Sequence, residues 1–257
     1  MRKFWSLVKK EWHMYKAWPI IFLIVGAVSI GLLPMFEGRF INVNIAKEEF
    51  RLGLLFLGLF LTGAVMPWQF LFSIRRGIKE KELWLHNSSP MTVLIGAKLF
   101  YTVAWTTLNS AFYTFFFHWT PSIIEGSTSE IIWMQGLVVS IIFLLGILTA
   151  VGALLFYTVY IQLKRYIKYG SVIITGMLFG LFLFTTDKIA NSSLYDKLLI
   201  HGEIPLTFLE KNMPVFTSED VLVNFYSLYI VEELVMWLVM ASCFIAASKW
   251  IERVITR

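Results

Sequence analysis

An all-α integral membrane protein with six transmembrane helices is the fold this sequence predicts, and three observations predict it. The 257 residues are 58% hydrophobic and only 15% charged, whereas a soluble domain is about 25% charged. The apolar residues gather into runs long enough to cross a hydrocarbon core of about 30 Å at about 1.5 Å per residue. Charge of opposite sign separates between alternate loops, as it does when those loops face opposite sides of a membrane.

Residues 1–17 predict a helix lying in the membrane interface. At about 100° per residue, Phe4, Trp5, Leu7, Val8, Trp12, Met14 and Tyr15 share one half of the helical wheel. Lys3, Ser6, Lys9, Lys10, His13 and Lys16 share the other. Trp5 and Trp12 opposite Lys9 and Lys10 suit an interfacial helix. Glu11 is the misfit on the apolar half, and it has two readings. It reaches headgroups or caps a neighbouring backbone, or it pairs with a cation of the stretch Ile74 to Lys98. The basic start followed by an apolar run invites a signal-peptide reading. The polar part is too long, however, and no small-residue cleavage site follows, so the expectation is an uncleaved first span.

The spans are read at 18–36, 52–73, 91–117, 131–157, 169–185 and 226–248, and together with their loops they account for the 257 residues as a single domain. Pro19 stands near the start of the first, where a missing N–H costs little. Pro67 is expected to kink the second. Gly58 and Gly63 in that span offer close helix approach, but their spacing is not GxxxG. The third carries Asn109, Ser110 and several Thr, giving it a mildly polar face. Between the fifth and sixth lies a long mixed segment, 186–225, broken by Pro205 and Pro214; a loop of this length is usually functional or folded on itself.

Topology follows from charge. The N-terminal helix, the 74–98 stretch, the 161–169 turn and the tail together carry 16 of the 22 Lys and Arg but only 4 of the 17 acids. The positive-inside rule then predicts both termini on the cytoplasmic side. The net charge of +5 is thereby read as loops facing an anionic leaflet, with no nucleic-acid partner implied.

Several chemistries lack their residues. The chain has no GxxxxGK[ST] phosphate loop, no HExxH and no GxSxG, so no catalytic residue, no metal and no cofactor is assigned to it. Its single cysteine, Cys243, sits in an apolar run as a small hydrophobe. The charged pair Glu232-Glu233 falls near the outer edge of the last span, about 24 Å of helix from Lys249. Structural or solvated carboxylates, a polar vestibule for cargo together with Asn109, and catalysis are the three readings. A double Glu is similar to that of intramembrane CAAX-type proteases, but those need a later His and none follows His201.

The stretch Ile74 to Lys98 organises the rest. It carries five Lys and Arg, an apolar knot Leu83-Trp84-Leu85, and a polar break Asn87-Ser88-Ser89-Pro90. A plain cytoplasmic loop with an interfacial Trp is the simple reading. Together with the amphipathic FWSLVKKEW, the basic RRGIKEKELWLHNSSPM, the Gly96-to-Lys98 opening of the next helix and the long outer segment, the whole chain resembles the transmembrane subunit of a type-2 ABC exporter, the ABC-2 permease family.

The resemblance implies that 74–90 is a coupling helix docking into an ATPase groove. Leu83, Trp84 and Leu85 would be its buried knob, and Arg75, Arg76, Lys79, Glu80 and Glu82 would orient it. It implies short re-entrant helices in 186–225 and contacts to a second permease subunit, the same or homologous, through the second and fifth spans. A cytoplasmic ATP-binding cassette subunit would hold ATP and Mg. The family's small Gram-positive members imply an apolar or amphipathic cargo, above all peptides such as bacteriocins, cytolytic modulin-type peptides or antimicrobials. Readings of other classes are an ATP-independent immunity or sensor protein that binds a peptide, and an intramembrane enzyme.

Overall fold

The computed structural model describes residues 2–40, 47–79, 89–116, 124–125, 127–206, 215–216 and 227–256. They form eight helices: α1 (Arg2–Tyr15), α2 (Ala17–Phe40), α3 (Lys47–Lys79), α4 (Met91–Phe115), α5 (Thr128–Ile167), α6 (Gly170–Ala190), α7 (Ser193–Leu199) and α8 (Ile230–Thr256). Four two-residue strands complete them: β1 (Ile124–Glu125), β2 (Glu203–Ile204), β3 (Val215–Phe216) and β4 (Leu228–Tyr229), with β1 antiparallel to β3 and β2 antiparallel to β4.

Five helices, α3, α4, α5, α6 and α8, are long and apolar enough to cross a membrane. The expected first span falls in α2. It meets that test together with α1 as a pair bent by 55°, so the count is five, or six with the bent pair as one span. Pro19 explains the bend. It has no N–H for the carbonyl of Tyr15, and its ring crowds that carbonyl, so one straight helix cannot run from α1 into α2.

Most helices outrun the apolar segments that announced them. α5 continues ten residues past Tyr157, because Thr158 to Ile167 contains neither Gly nor Pro and helical hydrogen bonds need no hydrocarbon around them. α3 likewise runs on through Ile74 and Arg76 to Lys79. The first part of the expected coupling helix is thus the end of the second span's own helix; 80–88 lie outside the described residues. α6 reaches Ala190, so the outer segment starts later than 186. Its described part holds the seven-residue α7, β2, which pairs with β4 beyond the segment, and β3.

The chain divides into two units. The first, Met1–Phe70, Gly96–Ile147 and Phe208–Asn224, is built on α4. Half of α4's most apolar stretch is buried, against none of α6's. Its mildly polar face is buried too, and it is satisfied in part within the helix, while Asn109 Oδ1 and Ser110 Oγ are buried without a hydrogen-bond partner among the described residues. Thr102 donates to the carbonyl of Lys98 at 3.0 Å, Thr107 to Val103 at 3.0 Å and Asn109 to Trp105 at 2.9 Å. Tyr113 anchors the core formed with Ile30, Leu55, Leu59 and Met134. Its ring fills the space that Gly26 of α2 and Gly58 of α3 leave by lacking a Cβ. At the start of α5, Ser127 and Glu130 form a capping box, with the Ser127 N–H donating to Glu130 Oε2 at 2.8 Å.

The second unit is Leu71–Ile95, Leu148–Thr207 and Phe225–Arg257. α5 and α6 make a hairpin across Lys168 and Tyr169, with Lys168 at φ 47. Phe156 packs edge-on against Phe179 and Phe182, at 5.1 and 5.6 Å between centroids. Beyond α7 the backbone turns at Gly202 (φ 73), and the carbonyls of His201 and Gly202 accept from Val231 and Ile230, two otherwise unpartnered donors of α8's first turn.

Gly58→Val puts side-chain carbons into the Tyr113 ring, which is only 4% exposed and has little room to yield. Overpacking of this kind costs about 1–3 kcal/mol. Thermal unfolding in detergent should show Gly58→Val well below wild type, and Gly58→Val/Tyr113→Ala recovering relative to Tyr113→Ala alone. Equal losses in both backgrounds would mean that the glycine is not there for the ring.

Candidate functional site

The arrangement with the most specific geometry is where α1 crosses α4 in the first unit. Glu11 and Lys98 form a direct ion pair, Lys98 Nζ donating to Glu11 Oε1 at 2.6 Å. Both residues are buried, Glu11 at 6% and Lys98 at 5% exposure. The buried side of α1 carries Glu11 and Tyr15, one helical turn apart, with Phe4 and Val8 partly buried on the same stripe. The carboxylate therefore interrupts the apolar half because that half faces α4, and α4 supplies a cation there. Of the two readings of Glu11, the geometry is that of the pair with the Ile74-to-Lys98 stretch. Glu11 Oε2 has no hydrogen-bond partner among the described residues.

Aromatic side chains enclose the pair. Trp12 stacks on Trp105 with centroids 4.8 Å apart and planes 11° apart. Tyr15 packs against Tyr101, and Phe4 and Trp5 meet Phe100 edge-on at 5.8 and 5.5 Å. Burial strengthens the attraction between the charges, and the charges fix which turn of α1 meets which turn of α4. Lys9 and Lys10 remain exposed on the opposite face, and Trp5 and Trp12 are partly exposed. The interfacial helix is thus clamped to the protein by one face and leaves its basic face open.

Arg75, Arg76 and Lys79 are exposed on the last turns of α3, where cations suit the negative end of the helix dipole. Glu80, Glu82, Leu83, Trp84 and Leu85 lie outside the described residues. Asn109 belongs to the first unit, 6% exposed, its amide committed to its own helix. Glu232 and Glu233 belong to the second, in the first turn of α8. They are half-buried, and the Tyr195 hydroxyl of α7 donates to Glu232 Oε1. That hydrogen bond is the main reason the Tyr195 phenol is pushed up to about 12. Ser227 similarly donates to Glu203 beside the β2–β4 pair. Among the described residues no cluster of His, Cys, Asp and Glu could hold a metal ion, and Cys243 is a free, half-buried thiol.

Sequence reading missed two features that local spacing offered. Ser127-Thr128-Ser129-Glu130 is a capping-box pattern, and Gly176-Met177-Leu178-Phe179-Gly180 is GxxxG. Both glycines have open space around them. The Glu232–Tyr195 contact bridges 37 residues and carried no local signal.

The fold and this junction define a multi-pass α-helical membrane protein. Comparison with protein-family models, with curated proteins and with solved structures returns no match.

Removing one member of a buried pair strands the other, at roughly 3–5 kcal/mol. Glu11→Leu and Lys98→Met should each destabilise the protein by that order in chemical denaturation, and the double variant should recover most of the loss. Losses that simply add would show that the two charges do not depend on each other.

The raised Tyr195 value gives a pH expectation. The phenol ionises at higher pH in the folded than in the unfolded chain. Its contribution to stability is therefore fully present below about 10 and fades as pH rises through about 12. Ultraviolet difference titration of wild type against Tyr195→Phe should show the late tyrosine, and Glu232→Gln should move it to lower pH.

Proposed function

We propose that this chain is the membrane subunit of an ATP-driven exporter of the ABC-2 permease type, in the bacterial plasma membrane with both termini cytoplasmic. The observation that carries the reading is the Glu11–Lys98 pair. A coupling device needs a rigid path from the partner's surface into the membrane helices. α4 begins at Met91, directly after the 74–90 stretch, and Lys98 stands two turns into it. The ion pair and the stacked Trp12 and Trp105 tie the amphipathic helix to those first turns. A movement of the basic segment would then shift α4 and α1 together.

ATP and Mg would bind on a separate cytoplasmic ATPase subunit, whose groove would take Leu83, Trp84 and Leu85. Arg75, Arg76 and Lys79, exposed at the end of α3, would set the approach electrostatically. A second permease subunit would lie along α6, none of whose apolar stretch is buried and whose Gly176 and Gly180 are open. The cargo would be apolar or amphipathic, most simply a peptide, since charged side chains are scarce at membrane depth.

The test is co-purification with a candidate ATP-binding cassette ATPase co-expressed with this chain, comparing wild type with Trp84→Ala/Leu85→Asp. Loss of an aromatic anchor costs about 2 kcal/mol or more at a central interface position, so the complex should dissociate and ATPase activity should no longer respond to cargo. A double variant that keeps both the complex and the coupled activity removes the coupling role from 83–85.

A further inference from the structure

We infer that a cleft between the ends of α5 and α8 is a binding site for the phosphodiester headgroup of an anionic phospholipid. The cleft encloses about 390 Å³ and is lined by Gln162, Arg165 and Tyr166 of α5 and by Ala246, Lys249, Trp250, Arg253 and Val254 of α8. The spacing is that of two facing helical stripes, 162-165-166 on one wall and 246-249-250-253-254 on the other. All of these residues belong to the second unit.

The lining carries three cations and no acid. Glu252, the acid on this turn of α8, does not line it. Lys164 is turned elsewhere, its Nζ 5.6 Å from the centre of the Tyr160 ring. Arg165, Lys249 and Arg253 have no ion pair among the described residues. Three positive charges converging on a concave space are a site for a phosphate, which two guanidinium groups can grip through paired hydrogen bonds. Gln162 adds a side-chain oxygen that is buried without a partner among the described residues, an acceptor for a headgroup hydroxyl.

Depth decides for a lipid over an acidic protein surface. α5 is 40 residues long, about 60 Å, twice the thickness of a hydrocarbon core. Gln162 to Tyr166 follow its apolar run by only one to three turns, which is headgroup level. Tyr166 (72% exposed) and Trp250 line the cleft, as aromatic side chains do at a membrane–water boundary. Basic pockets between membrane helices take anionic headgroups for these reasons.

Native mass spectrometry of this chain alone, reconstituted with equal phosphatidylglycerol and phosphatidylcholine and returned to detergent, reads the site directly. Wild type should retain phosphatidylglycerol in preference. Lys249→Gln/Arg253→Gln should lower that preference roughly tenfold or more. Arg165→Gln, a single exposed change on the opposite wall, should lower it in the same direction, and the charge-keeping Lys249→Arg/Arg253→Lys should not. Unchanged retention in both charge-removing variants overturns the site and leaves the cleft to an acidic partner. Soluble glycerol 3-phosphate should fail to displace the lipid; displacement at equal concentration would make this a site for a free anion. No ATPase enters the measurement, so its outcome is independent of the exporter reading.

Discussion

One buried pair of charges sets the terms for the first unit. Taking a carboxylate and an ammonium group out of water is unfavourable by several kcal/mol per ion, and only close approach with good geometry offsets it. Glu11 and Lys98 meet at 2.6 Å inside an aromatic enclosure. A shift of one turn would part the two charges while both stayed buried. The register of α1 on α4 is therefore fixed more sharply than apolar packing would fix it, since Trp, Tyr and Phe tolerate sliding. The bend before α2 is part of the same constraint. Without the break near Pro19, α1 would continue along the axis of α2, and Glu11 would not be carried across α4.

Around that junction α4 behaves as a post. Its Thr hydroxyls and the Asn109 amide nitrogen return hydrogen bonds to their own helix, so a sequence that looks half-polar meets part of its polar demand without a neighbour. Small residues on the neighbours complete the fit, with Gly26 and Gly58 making room for Tyr113. The two devices answer one problem. Between helices in lipid the hydrophobic effect gives little discrimination, so close packing and specific polar pairs decide the arrangement.

Much of this was legible in the chain. Apolar runs of membrane-spanning length located the helices, because an apolar stretch has few other fates. Their ends were misjudged, since hydropathy marks where hydrocarbon stops and the helix stops elsewhere, as at Ile167 and Lys79. Glu11 was legible as an anomaly: a charge on the wrong half of a wheel signals a partner without naming it. Lys98 could be singled out only as a cation of the neighbouring stretch, because a contact across 87 residues leaves no local pattern. The same holds for Tyr113 with Gly58 and for Tyr195 with Glu232. Glu232-Glu233 was legible as a charged pair in an apolar run, but the phenol that holds one of the two carboxylates lies on a helix that composition did not reveal.

Charge is used in three ways in this molecule, and burial separates them. Where it is buried, at Glu11 and Lys98, it specifies a register. Where it is half-buried beside a helix N-terminus, at Glu232, it is held by a neutral phenol and by the favourable end of a dipole. Where it is exposed at helix C-terminal ends, at Arg75, Arg76, Lys79, Arg165 and Arg253, it lies at the negative end of a helix dipole, which favours a cation there. A cleft of the second unit gathers Arg165, Lys249 and Arg253 with no acid in its lining, and like charges that converge repel one another unless an anion sits between them.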